Sequence, residues 1–235
     1  MSEFFDLEKT FIQPVELVPE RTAVLVIDMQ YSDASVDQGY NVAMDRIFPG
    51  IVDYFNERNE NVTLPAIRRL LDAARPRGVR IVYLTIGAEH QDLREFPERT
   101  RRWIREVERR GGVEDIFWCG APWFRIRDEI APQEGDTVVN KTAFGAFNAS
   151  NIDEVLRGLG IESLIITGIS TNHCVETTAR DAADRGYGCV IVDEATADYD
   201  DEAQDAALRA FHFNFGRVLR RVDDVIDHLD SGRAV

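Results

Sequence analysis

Three residue types in this chain have the chemistry to make and break an acyl bond, and each sits at the end of an apolar run. Cys174 lies within Ser163–Thr178, SLIITGISTNHCVETT. That stretch opens with a β-branched run ending at Gly168, which reads as a buried parallel strand. Thr171 or Asn172 is placed to cap the helix that follows, which puts Cys174 at or near its first turn. Free backbone N–H groups and the helix dipole favour negative charge there, so a cysteine so placed is expected as a thiolate nucleophile. The structural alternative is a small buried apolar cysteine. Asp28 ends a second run, Thr22–Asp28, at the strand edge where open parallel sheets keep their ligands; it is placed either for chemistry there or to cap the next turn. Lys141 follows a third short run, DTVVN. A thiol needs a base, a carboxylate can take its proton and return it to a leaving nitrogen, and an ammonium group stabilises both charges.

These residues need a frame that brings strand ends together. Apolar runs at 22–28, 79–85, 136–140, 163–168 and 187–192 alternate with helical spacings at 63–77, 98–110, 151–159, 174–186, 202–213 and 223–229. Residues 216–222 read as an edge strand. The alternation implies parallel βαβ units with right-handed crossovers. The expected fold is α/β: a three-layer, doubly wound, Rossmann-like and mostly parallel sheet of six strands in one domain over 1–235. Residues 1–20 read as an irregular lead-in whose phenylalanines dock on the domain or on a second subunit. Residues 29–62, polar and rich in Asn, read as a long active-site loop or lid. Thr63 is expected to cap the helix ended by Gly78. The helix at 98–110 reads as largely solvated, with Arg99, Arg101 and Arg102 as candidates to reach an acidic substrate.

Composition excludes several classes. The 235 residues carry a formal charge of −15, which argues against nucleic acid or an anionic membrane as partner. No apolar run approaches the roughly 20 residues of a membrane span. Three scattered cysteines do not make a disulfide scaffold, so a reducing, cytoplasmic setting is expected. No clustered Cys/His spacing suggests zinc. No G-x-G-x-x-G or G-x-x-x-x-G-K-[ST] supports a nucleotide, and no cofactor is expected.

LVIDMQ at 25–30, VVNKTAFGAFNAS at 138–150 and TGISTNHCVETTARDAADRGYGCVIVDEA at 167–195 together resemble the isochorismatase-like cysteine hydrolases over roughly residues 20–220. The resemblance implies a catalytic triad of Asp28, Lys141 and Cys174. It implies a non-proline cis peptide at Ile169-Ser170 and an oxyanion hole formed by the N–H groups of Ser170 and Cys174. Gln30, Phe144, Phe147 and Asn172 are candidates to face substrate, the two phenylalanines as walls and Gln30 as a contact or a turn stabiliser. His173 reads as a packing or substrate-edge group. Members that keep the cysteine mostly hydrolyse small amides or ureido compounds. The expected activity is therefore cleavage of a C–N bond in a small linear amide, ureido or carbamoyl compound through a thioester. A vinyl-ether hydrolase and a catalytically silent partner-binding protein are the alternatives. The metal-binding D-x-H of nicotinamidases is missing from YSDASVDQGY, so no metal is expected. Relatives often close their sites with a neighbouring subunit, so a homo-oligomer, dimer or tetramer, is expected.

Overall fold

The central runs become strands because they are buried on both faces and rich in β-branched residues, while the edge strand at 137–141 leaves Val138 half exposed. The computed structural model describes residues 13–235; residues 1–12, and with them most of the lead-in and its phenylalanines, lie outside the described residues. The strands are β1 (Thr22–Ile27), β2 (Arg80–Ile86), β3 (Thr137–Lys141), β4 (Ser163–Ile169), β5 (Gly188–Ala197) and β6 (Arg217–Leu219). All neighbours pair in parallel, in the order β3-β2-β1-β4-β5-β6. The chain winds outward from β1 to β3, then restarts at β4 on the other side of β1. The order therefore reverses between β1 and β4, and a crevice opens at their carboxyl ends.

Alternation along β1 divides its side chains between two cores. Ala23, Leu25 and Ile27 pack under α4 (Glu98–Gly111), α5 (Ile152–Gly158), α6 (Glu176–Asp184) and α7 (Asp201–Asn214). Val24 and Val26 pack under α3 (Leu64–Ala74) and α8 (Val222–Ser231) on the opposite face. In α3 the buried Leu64, Ile67, Leu70, Leu71 and Ala74 fall at i, i+3, i+4 spacing, and Gly78 stops the segment at φ +80°.

Three expectations change here. Residues 29–62 are not one open loop: they hold α1 (Gly39–Ile47), α2 (Asp53–Arg58) and a π turn at Asn59–Thr63 that runs straight into α3. α1 shows little apolar periodicity because it packs through small groups; a Cβ added at Gly111 of α4 would meet the Ala43 Cα of α1 at 2.6 Å. Thr63 therefore lies inside a continuous helical path and caps nothing; its hydroxyl donates to the Thr196 carbonyl at 3.0 Å. The helix at 98–110 also buries more than its charge suggests, through Ile104, Val107 and Glu108. Glu108 is kept there by Arg105 and by the Ile116 N–H. Among the described residues no helix is long and apolar enough to cross a membrane.

Candidate active site

The reversal of strand order puts the end of β1 beside the end of β4. Asp28 is the first residue after β1, and its backbone turns sharply there at φ +55°, a region Asp tolerates better than most non-glycine residues. Its N–H still donates to the Leu84 carbonyl at 2.8 Å, which ties the turn to β2. Gly168 in β4 has φ +110°, and a Cβ there would sit 2.1 Å from the Ile27 carbonyl oxygen. Only glycine lets the two strand ends approach so closely. The Ile169–Ser170 peptide that follows is cis.

The chain from Thr171 to Val175 forms a π turn before α6 starts. Val175 N–H donates to the Ser170 carbonyl and Glu176 N–H to that of Thr171; neither bond uses the Cys174 N–H. Thr171 and Asn172 do not cap this turn with their side chains, contrary to the sequence expectation. The Thr171 hydroxyl donates to Gln204 Oε1 of α7 at 2.7 Å, and the Asn172 N–H donates to Asp198 Oδ2 at 2.6 Å. Asp198, just past β5, thus does the capping work from another element. The bulge between Ile166 and Gly168 in the β4–β5 pairing lengthens β5 to reach it.

Lys141 ends β3 and sends its ammonium group into the centre of the site. Its three N–H bonds meet three acceptors: Asp28 Oδ2 at 2.8 Å, the Ala143 carbonyl at 3.1 Å and Cys174 Sγ at 3.3 Å. Lys141 and Asp28 are 0% exposed and Cys174 is 5% exposed. The Lys141 ammonium thus bridges the Cys174 sulfur and the Asp28 carboxylate, whose Oδ1 takes no hydrogen bond from any described residue. Three residues 28, 141 and 174 positions along the chain therefore share one buried contact.

Charge in this cluster is set by burial against pairing. Burial pulls the Lys141 ammonium down, but the charges of Asp28 and Cys174 outweigh it and the net direction is up. Burial raises the Asp28 carboxyl, with Lys141 and the Cys174 thiol pulling it back. Burial pushes the Cys174 thiol well up and the charge of Asp28 pushes it further, Lys141 acting the other way. A helix start alone would favour a standing thiolate. Here the desolvation is larger, so the sulfur rests as a thiol and needs a base beside it.

Cys174 faces a cavity of about 400 Å³. Phe144, Trp103 and Phe117 give it an aromatic wall, and Phe144 packs edge-on against His173 with ring centroids 5.5 Å apart. Ser170, Tyr40, Tyr199 and Asp33 give it a polar one. The Tyr199 hydroxyl faces the side chains of both Ser170 and Tyr40. A wider groove of about 1050 Å³ along α1 and α4 is lined mainly by polar and charged side chains, Arg105 and Arg109 among them already paired with Glu108 and Glu106, and holds no nucleophile.

Of the residues expected to face substrate, Phe144 lines the cavity and three do not. Gln30 is fully buried: its amide donates to the Phe124 carbonyl and accepts from the Ile86 N–H, both at 2.7 Å, so it braces the loop over the sheet. Phe147 packs against Tyr187 in the core. Asn172 is exposed on the outer side of the π turn. Arg99 stands at the cavity rim, whereas Arg101 and Arg102 pair with Glu98. Asp33 and Tyr199 carried no signal in the sequence, since an isolated Asp or Tyr in a connection has no spacing to reveal it. Among the described residues no group of three or more His, Cys, Asp or Glu side chains gathers as a metal site.

The isochorismatase domain model matches residues 22–223. A ureidoacrylate amidohydrolase, RutB, of Agrobacterium fabrum is 33% identical over 192 residues, covering 78% of this chain and 79% of that protein. RutB of Pseudomonas syringae pv. syringae is 31% identical over 219 residues, or 90% of this chain and 85% of that protein. Among solved structures, a cysteine hydrolase from Pseudomonas syringae pv. phaseolicola superposes with a TM-score of 0.74 at 26% identity, covering 95% of this chain and 100% of that one. An N-carbamoylsarcosine amidase from Thermoplasma acidophilum superposes with a TM-score of 0.59 at 25% identity, covering 86% and 97%. With a family model spanning both strand ends and relatives at this level along most of its length, the chain belongs to the isochorismatase-like hydrolase family.

Proposed function

We propose that this protein is a cysteine amidohydrolase that cleaves a C–N bond in a small ureido, carbamoyl or amide compound. The observation that carries the reading is the buried contact of one thiol, one carboxylate and one ammonium group at the wall of a small cavity. The names of its relatives, ureidoacrylate amidohydrolase and N-carbamoylsarcosine amidase, support carbamoyl chemistry.

In this reading Asp28 takes the proton from Cys174 as the sulfur attacks the carbonyl carbon. The electron pair of the C=O bond moves onto oxygen, where the N–H groups of Ser170 and Cys174 receive it. Each such donor is worth about 3–4 kcal/mol of transition-state stabilisation. The tetrahedral intermediate collapses, the C–N bond breaks, and Asp28 gives its proton to the departing nitrogen. Water, deprotonated by the same carboxylate, then attacks the thioester, and the sulfur leaves and recovers its proton. Lys141 keeps its charge throughout and holds the carboxylate and the sulfur in register. Because the thiol rests protonated, Asp28 must act as base in every cycle.

The test is product analysis with purified protein and a panel of N-carbamoyl amino acids and their amide counterparts. Ammonia release is expected, accompanied for carbamoyl substrates by the free amino acid and carbon dioxide. A protein that releases ammonia from none of them contradicts the reading.

A further inference from the structure

Asp33 is the one carboxylate among the residues lining the cavity at Cys174, and its side-chain oxygens take no hydrogen bond from any described residue. Its position is costly. Burial pushes its carboxyl up to about 7, with the charge of Asp28 adding to the rise and Lys141 opposing it. It also raises the Cys174 thiol, which works against forming the nucleophile. A carboxylate so placed does nothing for the resting site, and only donors brought in from outside can offset its desolvation.

The proposed substrates differ in the donors they bring. A ureido group whose carbonyl oxygen points to backbone amides presents two parallel N–H bonds on its opposite edge. Their spacing matches the two oxygens of a carboxylate, as in paired guanidinium–carboxylate contacts. A simple amide presents one N–H on that edge and a CH₂ where the second would be. The remaining cavity lining is largely aromatic or aliphatic, with the Tyr40 and Tyr199 hydroxyls facing each other.

We infer that Asp33 is the specificity-determining residue of this site, accepting both N–H bonds of a ureido group and thereby favouring ureido compounds over simple amides. The inference rests on the amidohydrolase reading and names its substrate class. Asp33 is a binding group here and takes no part in bond making or breaking.

The sign of the pH dependence follows. A carboxylate accepts two N–H bonds; a protonated carboxyl offers one acceptor and a competing donor. Selectivity for ureido over amide therefore rises as pH passes upward through about 7, where Asp33 ionises. The other charged or titratable groups facing this space are Asp28, Lys141 and Cys174 at the base, Tyr40 and Tyr199 on the polar wall, and His173 and Arg99 towards the rim. They meet both substrates alike, so a ratio of the two rates removes their contribution.

The experiment compares N-carbamoyl-β-alanine with glutaramate, which has CH₂ in place of one N–H, by kcat/KM from pH 5.5 to 9 on the order of half-unit steps. Wild-type protein is expected to favour the carbamoyl compound, with a ratio that climbs through neutral pH. Asp33→Asn is expected to lower that ratio about 10- to 100-fold at alkaline pH and to make it flat with pH, the loss of a charged hydrogen-bond pair. Should Asp33→Asn fold poorly, the wild-type pH profile of the ratio decides alone. Turnover of both compounds with a ratio flat in pH and unmoved by Asp33→Asn overturns the inference and leaves the amidohydrolase reading standing. Turnover of neither, with no binding of either to Cys174→Ala protein, overturns both.

Discussion

Under the proposed mechanism, Cys174→Ala is expected to lose at least about four orders of magnitude in kcat, since removing the nucleophile of a cooperating set removes nearly all its catalysis. The fold should survive. Sγ touches a cavity and one Lys141 N–H, so its loss leaves a small opening next to existing space and no crushed neighbour. Cys174→Ser should be almost as inactive. Asp28 shares a proton with a thiol readily, but a serine hydroxyl is many units less acidic, and the ammonium of Lys141 cannot make up that gap. Steady-state kinetics on a carbamoyl substrate, with circular dichroism to check the fold, measures both. A folded Cys174→Ala protein with more than about a hundredth of wild-type kcat contradicts the covalent mechanism.

Lys141→Met is expected to cost about 3–5 kcal/mol of stability at neutral pH, the cost of leaving one partner of a fully buried ion pair alone. The methionine fills the lysine stem, so the effect isolates the charge. Asp28 then lacks its cation while Asp33 still repels it. Its carboxyl, already raised by burial, rises further. The folded state then holds a proton on Asp28 at pH values where the unfolded chain, with its ordinary carboxyl near 4, has released it. More protons bound in the folded state means that stability falls as pH rises above that value. The variant should therefore lie closest to wild type in acid and furthest from it at and above neutrality. Urea unfolding at pH 5 and pH 8 reads the difference, on the scale of about 1 kcal/mol or better. Equal destabilisation at both pH values would mean that lost packing, not the uncovered charge, is responsible.

Activity should fall with stability in that variant, because a protonated Asp28 cannot accept the thiol proton. The two variants separate the parts of the proposed mechanism: one removes the proposed nucleophile and spares the proposed base, the other disables that base and spares the sulfur.

Much of this architecture is legible because it follows from simple patterns. The runs TAVLVI, RIVYLTI and SLIITGI are buried on both faces, so composition alone marks them as central parallel strands. Once strands and helices alternate, handedness and sheet order bring the ends of β1 and β4 together, and Asp28 and Cys174 with them. What stays hidden is decided by backbone direction over one or two residues. Gln30 lies two positions beyond Asp28, yet the turn at φ +55° aims it into the loop instead of the cavity. Phe144 and Phe147 are three apart, and the 3₁₀ turn at Ala146–Asn148 sends one to the cavity and the other to the core. Asp33, Trp103 and Tyr199 come from three different connections or helices, and only the folded chain brings them to one wall. The resting thiol was hidden for a related reason. A helix start is visible in sequence, whereas the desolvation that outweighs it exists only after packing.

The account turns on a covalent bond to one sulfur, and rapid acid quench of the wild-type protein during turnover of an N-carbamoyl amino acid tests it most directly. Peptide mass analysis should find the carbamoyl-derived acyl group on the peptide carrying Cys174, and none on the Cys174→Ala protein. Undiminished product formation with no adduct at Cys174 at any quench time, or an adduct on Cys119 or Cys189 that forms and decays at the turnover rate, would contradict it.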